Sequence, residues 1–197
     1  MKSLTLPSSV EKLESGWNEG LNNLKTIKVI KNKVNNITLF KGNFILGKMD
    51  LKSDIFDVLL LARKNIKEVF VPSFIKVISS YAFSDNITEK IEFSNDSELI
   101  SIEKFAFAGS FIKSILIPSH VYKIRKSAFI NTKLLNAKFS KKSNLEKIGR
   151  RAFSECHYLE KVECEKITNS INTTILIKKC AFENCHELKD VGFLNNY

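Results

Sequence analysis

The chain has 197 residues, 44% of them hydrophobic and 26% charged, and a formal net charge of +10. That length and apolar content can bury the core of one large domain or two small ones, and 15 Phe beside only 7 Gly and 3 Pro exclude collagen-like and disordered classes. No apolar run approaches the roughly 18 residues of a membrane-crossing helix; the densest is Val58-Leu59-Leu60-Leu61-Ala62.

The start of the chain, Met1-Lys2-Ser3-Leu4-Thr5-Leu6-Pro7, lacks the apolar region of a signal peptide, so a cytosolic protein or a piece of a longer one is expected. Leu4 and Leu6 open a pattern, Leu-x-x-Φ-x-Φ with Φ apolar, that returns along the chain. It reads Leu24/Ile27/Val29, Ile66/Val69/Val71, Ile112/Ile115/Ile117, Leu134/Ala137/Phe139, Leu159/Val162/Cys164 and Leu188/Val191/Phe193. A weaker copy has Thr88 before Ile91 and Phe93. Two apolar residues separated by one other residue make a short strand with one buried face. Recurrence every 22–25 residues predicts one such strand per coil of a repeat array.

Pro7-Ser8, Pro72-Ser73 and Pro118-Ser119 end three of these strands, because proline has no backbone donor for a ladder. Farther on, Ile-x-x-x-Ala-Phe occurs at 78–83, 102–107, 124–129, 148–153 and 177–182, with the Phe residues 24, 22, 24 and 29 apart. Phe83, Phe107, Phe129, Phe153 and Phe182 are therefore read as a structural core column. The first coil (1–30) is degenerate, with Gly16-Trp17 in place of Ala-Phe. Residues 31–65 break the pattern: Ile37-Thr38-Leu39-Phe40 and Phe44-Ile45-Leu46 flank Lys41-Gly42-Asn43 and predict a hairpin. We read 31–65 as an insertion, 66–197 as regular coils, and 1–197 as a single solenoid. Residues 169–174 form a smaller insertion that accounts for the last, longer spacing.

The combined pattern Leu-x-x-Ile-x-Ile-Pro-Ser-x-Val-x-x-Ile-x-x-x-Ala-Phe, best preserved at 112–129, resembles the BspA-like, or Treponema pallidum-type, leucine-rich repeats. The segment from Asp57 to Ser80 looks most like protist BspA-like surface proteins. The resemblance covers about three quarters of the chain, missing mainly residues 31–62. It implies an α/β to mainly β, right-handed solenoid of about seven to eight coils, with a parallel sheet on one face and short turns or 3₁₀ segments opposite. It also implies adhesion to host proteins or cells from a surface or secreted location, although neither an export signal nor an anchor is visible. The family supplies no catalytic residues or cofactor to carry over.

Charge is concentrated. Residues 113–151 hold 11 Lys or Arg against one acid, Glu146, so this segment accounts for the whole net charge. The residue three before each repeat Phe is Ser80, Lys104, Lys126, Arg150 and Lys179. If coils stack at the roughly 4.8 Å of neighbouring strands, four cations line up. Arg125 and Arg151 stand beside this column. The plain alternative is a solvated face; the functional reading is contact with an anionic glycan, an acidic protein or anionic lipid. Nucleic acid is disfavoured, because no recognised nucleic-acid-binding motif accompanies the charge.

The four cysteines, Cys156, Cys164, Cys180 and Cys185, are too few and too one-sided for a disulfide scaffold. Reduced thiols are the first reading, and a Cys156–Cys185 bridge between adjacent coils the alternative. His157 and His186 follow two of them, but alternation would turn thiols inward and imidazoles outward, so no metal site is expected. For an exported chain, Asn36, Asn86, Asn95 and Asn172 begin glycosylation sequons. No nucleophile elbow, P-loop or His-Glu-x-x-His is present, and no enzyme is expected. Two functions follow: a protein- or glycan-binding module, or a spacer segment of a longer array. Neither end resembles a polar cap, which leaves self-association through an open end as a further expectation.

Overall fold

The structure is a computed structural model, and it describes residues 2–21, 24–30, 36–164 and 175–192. Phe193, the 169–174 insertion and the Asn172 sequon lie outside the described residues. The chain winds into a β-solenoid of about seven turns, and no helix occurs among the described residues.

Each Φ-x-Φ run that lies wholly among the described residues forms a strand. β1 (Ser3–Leu6) and β2 (Thr26–Val29) pair in parallel as a separate sheet. The regular coils supply β6 (Glu68–Val71), β8 (Lys90–Phe93), β10 (Ser114–Ile117), β12 (Asn136–Phe139), β14 (Lys161–Cys164) and β16 (Asp190–Val191), a six-stranded parallel ladder in chain order. In β6 and β10 exposed and buried residues alternate, as a strand with one buried face requires.

The opposite side carries more than turns. The Ile of each Ile-x-x-x-Ala-Phe lies in a two-residue strand: β7 (Val77–Ile78), β9 (Ser101–Ile102), β11 (Lys123–Ile124), β13 (Lys147–Ile148) and β15 (Leu176–Ile177). These form a second parallel ladder. After it the backbone bends sharply. Tyr81, Phe105, Ser127, Arg151 and Cys180 all have φ of 55–60°. Asp85, Gly109, Asn131, Glu155 and Asn184 share the left-handed region two residues after each Phe. Left-handed backbone is costly for side-chain-bearing residues; here hydrogen bonds to the next coil hold it, as in Phe107 N to Ala128 O and Phe129 N to Ala152 O, both 2.7 Å.

Between the two left-handed positions each Ala-Phe turns inward. Phe83, Phe107, Phe129 and Phe153 are fully buried and stack with centroids 4.9 Å apart and planes within 8° of parallel. Phe182, at 5.4 Å from Phe153, is only half-buried.

The hairpin region completes this core. β3 (Ile37–Phe40) and β4 (Phe44–Gly47) pair antiparallel around Lys41-Gly42-Asn43, where Lys41 and Gly42 both have positive φ. β4 pairs antiparallel with β5 (Val58–Ala62), and β5 pairs in parallel with β7. β5 thus joins the hairpin to the repeat ladder and separates two cores. Leu59 and Ala62 face the main core, whereas Leu60 and Leu61 face a second one with Leu6, Leu24, Ile27, Ile37 and Ile45. A strand buried on both sides reads as an unbroken apolar run, which is why the densest stretch of the sequence falls here. Phe44 meets Phe83 edge-on at 6.5 Å and closes the Phe stack at its N-terminal end.

Lys64 follows β5 and is 4% exposed. Its ammonium donates to the Ser84 carbonyl oxygen. Burial pushes its pKa down to about 8, against the pull of Asp85, from an ordinary 10.5. The unfolded chain therefore binds the extra proton more readily, and stability rises as pH climbs from about 8 to about 10.5. Relative to Lys64→Met, the wild type should gain on the order of 3 kcal/mol across that window. Denaturant midpoints of both proteins from pH 7 upward test this; a pH-independent difference would refute it.

Candidate functional site

In-register stacking converts repeat positions into rows. The residue before each repeat Ile gives Val77, Ser101, Lys123, Lys147 and Leu176, neighbours in the short ladder. The position two after each Ile gives Ser80, Lys104, Lys126, Arg150 and Lys179. Backbone bonds tie the coils of the last four together: Phe105 N donates to Lys126 O (3.3 Å), Ser127 N to Arg150 O (3.0 Å) and Arg151 N to Lys179 O (3.3 Å). Lys104, Lys126, Arg150 and Lys179 are exposed.

Arg125 and Arg151 sit differently. Arg125 Nε lies 2.8 Å from Glu103 Oε1, which also accepts a 2.7 Å bond from Ser101 Oγ. Arg151 Nε lies 3.1 Å from Glu183 Oε2. Both guanidiniums are tied to the neighbouring coil, so the freely presented charge belongs mainly to lysines.

Lys104, Lys123, Arg125, Lys126, Lys147, Arg150 and Lys178 line a groove of about 300 Å³ along the short ladder, with Ile124 and Gly149 also in its lining. No carboxylate lines it. Among the described residues, Lys104, Lys126, Lys147, Arg150 and Lys178 have no ion-pair partner. Lys123 Nζ lies 4.5 Å over the Tyr122 ring. Of the cations expected from the sequence, Lys104, Arg125, Lys126 and Arg150 line the groove and Lys179 and Arg151 do not, whereas Lys123, Lys147, Lys178 and Gly149 were missed. The same spacing argument, applied to the residues flanking the Ile, would have found them.

The long ladder presents a different face. Its lysines are engaged by carboxylates: Lys90 by Glu92 (2.7 Å), and Lys138 and Lys161 by a shared Glu163 (2.8 and 2.9 Å). Phe70 and Leu116, 58% and 56% exposed, flank a cleft of about 690 Å³ crossed by Glu92. Apolar residues at the outward position of a strand were the available signal, and the sequence reading did not use it.

Cys156, Cys180 and Cys185 are unbridged. Cys156 Sγ donates to Phe129 O and Cys185 Sγ to Phe153 O, both at 3.0 Å. The neighbouring Cys156 thiol and burial push the Cys185 thiol up, which keeps it protonated. The rings of His157 and His186 stack outside at 5.5 Å. Thiols inside and imidazoles outside do not converge, and no group of three or more metal-binding side chains forms among the described residues.

Two parallel ladders wound around a ladder of aromatic and aliphatic residues define a leucine-rich repeat solenoid. The family model of the BspA type leucine-rich repeat region matches six copies over residues 59–189, and the chain belongs to that family. Three solved structures share the fold. The pneumococcal vaccine antigen PcpA has a TM-score of 0.72 at 21% identity, over 96% of this chain and 44% of its own. A leucine-rich repeat protein from Eubacterium ventriosum has 0.60 at 20% identity, over 93% and 58%. A leucine-rich cell surface protein from Faecalibacterium prausnitzii has 0.60 at 19% identity, over 84% and 48%. The chain therefore spans about half the length of the solved structures it matches. No curated protein matches it in sequence. Leucine-rich repeat proteins are commonly protein-binding and typically non-catalytic.

Proposed function

We propose that residues 1–197 act as one non-enzymatic solenoid that binds an anionic partner, a protein or a glycan, along the basic groove. The observation that carries this reading is a groove walled by lysines, Arg125 and Arg150 with no carboxylate in its lining. Like charges held close together cost stability, and an oppositely charged partner relieves that cost. Adhesion at a cell surface fits the reading, since a similar solenoid belongs to a cell surface protein and another to a vaccine antigen. Staining of intact against permeabilised cells tests the location.

Lys126→Glu with Arg150→Glu, both exposed positions, should leave the melting curve unchanged and lower the salt concentration that elutes the protein from an anionic resin. Partner binding should fall at least tenfold, or about 1.4 kcal/mol. A second reading is a spacer within a longer array, favoured by the chain's covering only about half of the solved structures it resembles. A double variant that binds every tested anionic partner as the wild type does would leave the spacer standing and the groove without a role.

A further inference from the structure

The geometry points to a linear sulfated polysaccharide as the groove's ligand, its chain running along the solenoid axis and one sulfate ester seated over Gly149. This rests on the proposed anionic partner and adds its chemical class. Three features separate such a chain from the other polyanions.

An extended acidic peptide normally gains its affinity by adding a strand to a free sheet edge. The groove floor offers none. β11 and β13 lie inside the short ladder, with neighbours on both sides. Lys126 O and Ile124 O are already occupied by Phe105 N and Gly149 N. Of the arginine forks, the best fit to carboxylates, Arg125 is already held by Glu103 and Arg151 by Glu183, which leaves Arg150 as the lining fork without a carboxylate among the described residues. The remaining cations are mostly ammonium groups, point charges that suit an anion approached from several directions.

A single-stranded nucleic acid needs aromatic platforms between its cations, on which bases stack. Aromatic rings near the groove are already engaged: Tyr81 and Phe105 stack on each other at 5.1 Å, and Tyr122 lies under Lys123. A sulfated sugar chain needs neither a strand edge nor a stacking platform. It needs cations repeated along a line, and four successive coils at steps of 4.9–5.4 Å supply them.

Gly149 supplies the seat. At the equivalent position the other coils carry Ser79, Glu103, Arg125 and Lys178. At Gly149 a Cβ would fall 2.6 Å from Arg125 C and 2.7 Å from Lys126 N. The neighbouring coil's backbone thus takes the space a side chain would need, and Gly149 lines the groove without a side chain of its own, among walls that include Lys123, Lys126, Lys147 and Arg150.

The test measures binding of the full chain to four probes by calorimetry: a fully sulfated heparin octasaccharide, the same octasaccharide desulfated, a glutamate decapeptide and a thymidine octanucleotide. The sulfated octasaccharide should bind, and the other three at least roughly tenfold more weakly. Lys147→Ala with Lys178→Ala, at two exposed positions, should weaken octasaccharide binding by a similar factor without moving the melting curve. It should also cut the slope of log affinity against log salt by about one per lysine, as counterion release requires. Equal or tighter binding of the peptide or the oligonucleotide would overturn the sulfated ligand while leaving the anionic-partner reading in place. Octasaccharide binding indifferent to the two lysines would overturn the site. No binding to any probe would overturn both readings.

Discussion

Phe129→Ala is expected to destabilise the solenoid by about 3–5 kcal/mol, the range for emptying a fully buried aromatic site. Phe129 stands mid-stack, with Phe107 and Phe153 each 4.9 Å away. Its neighbours cannot collapse into the space, because backbone bonds on both sides fix the coil pitch: Phe129 N bonds Ala152 O, and Phe107 N bonds Ala128 O. At about 2–4 °C per kcal/mol for a chain of this size, the melting temperature should fall by about 10 °C. Phe182→Ala should cost much less, since Phe182 is half-buried and stacks on one described neighbour. Thermal melts of the two variants side by side check the register. Equal losses would mean that the column is not a continuous stack.

The repeat was legible because its fixed residues are the buried ones. The apolar side chains of Φ-x-Φ and the Ala-Phe pair recur at one spacing, so periodicity alone places both the long ladder and the aromatic column. The short ladder was not legible for an equally physical reason. Two-residue strands such as β11 and β13 have one inward side chain each and show no alternation to read; their pairing is enforced by the stacking of the coils on either side. Phe44 was hidden by distance. It lies 39 residues before Phe83, outside any repeat spacing, and reaches the stack only because the antiparallel hairpin folds back onto β5.

The basic zone was legible as composition and partly as position. Counting charge located residues 113–151, and one repeat position named Lys104, Lys126, Arg150 and Lys179. Which cations are free could not be counted from spacing. Glu103 and Glu183 take up Arg125 and Arg151 from adjacent coils, 22 and 32 residues away in sequence. The groove's free charge is therefore a difference between cations that find carboxylates and cations that do not, and that difference exists only once the coils are stacked.

Gly149→Ala is the second change with a large expected effect, and it connects the fold to the groove. Gly149 has no positive φ, so its backbone admits any residue and the penalty is one of space alone. The added methyl would meet Arg125 C at 2.6 Å, Lys126 N at 2.7 Å and Arg125 O at 2.9 Å. These are backbone atoms and cannot swing aside as a side chain end can. Relief requires moving one coil against the next, which strains the 2.8 Å bond from Gly149 N to Ile124 O and the 3.0 Å bond from Ser127 N to Arg150 O. Overpacking of this kind costs about 1–3 kcal/mol for a methyl, and valine should cost more. The displaced atoms carry Arg125 and Lys126, so the groove must change shape with the fold. At a temperature where Gly149→Ala remains folded, its affinity for an anionic probe should fall even though no charge has been removed. A stable, wild-type-like melt would mean that the coils have more slack here than their contacts indicate. A normal melt with lost binding would instead assign Gly149 to the ligand alone.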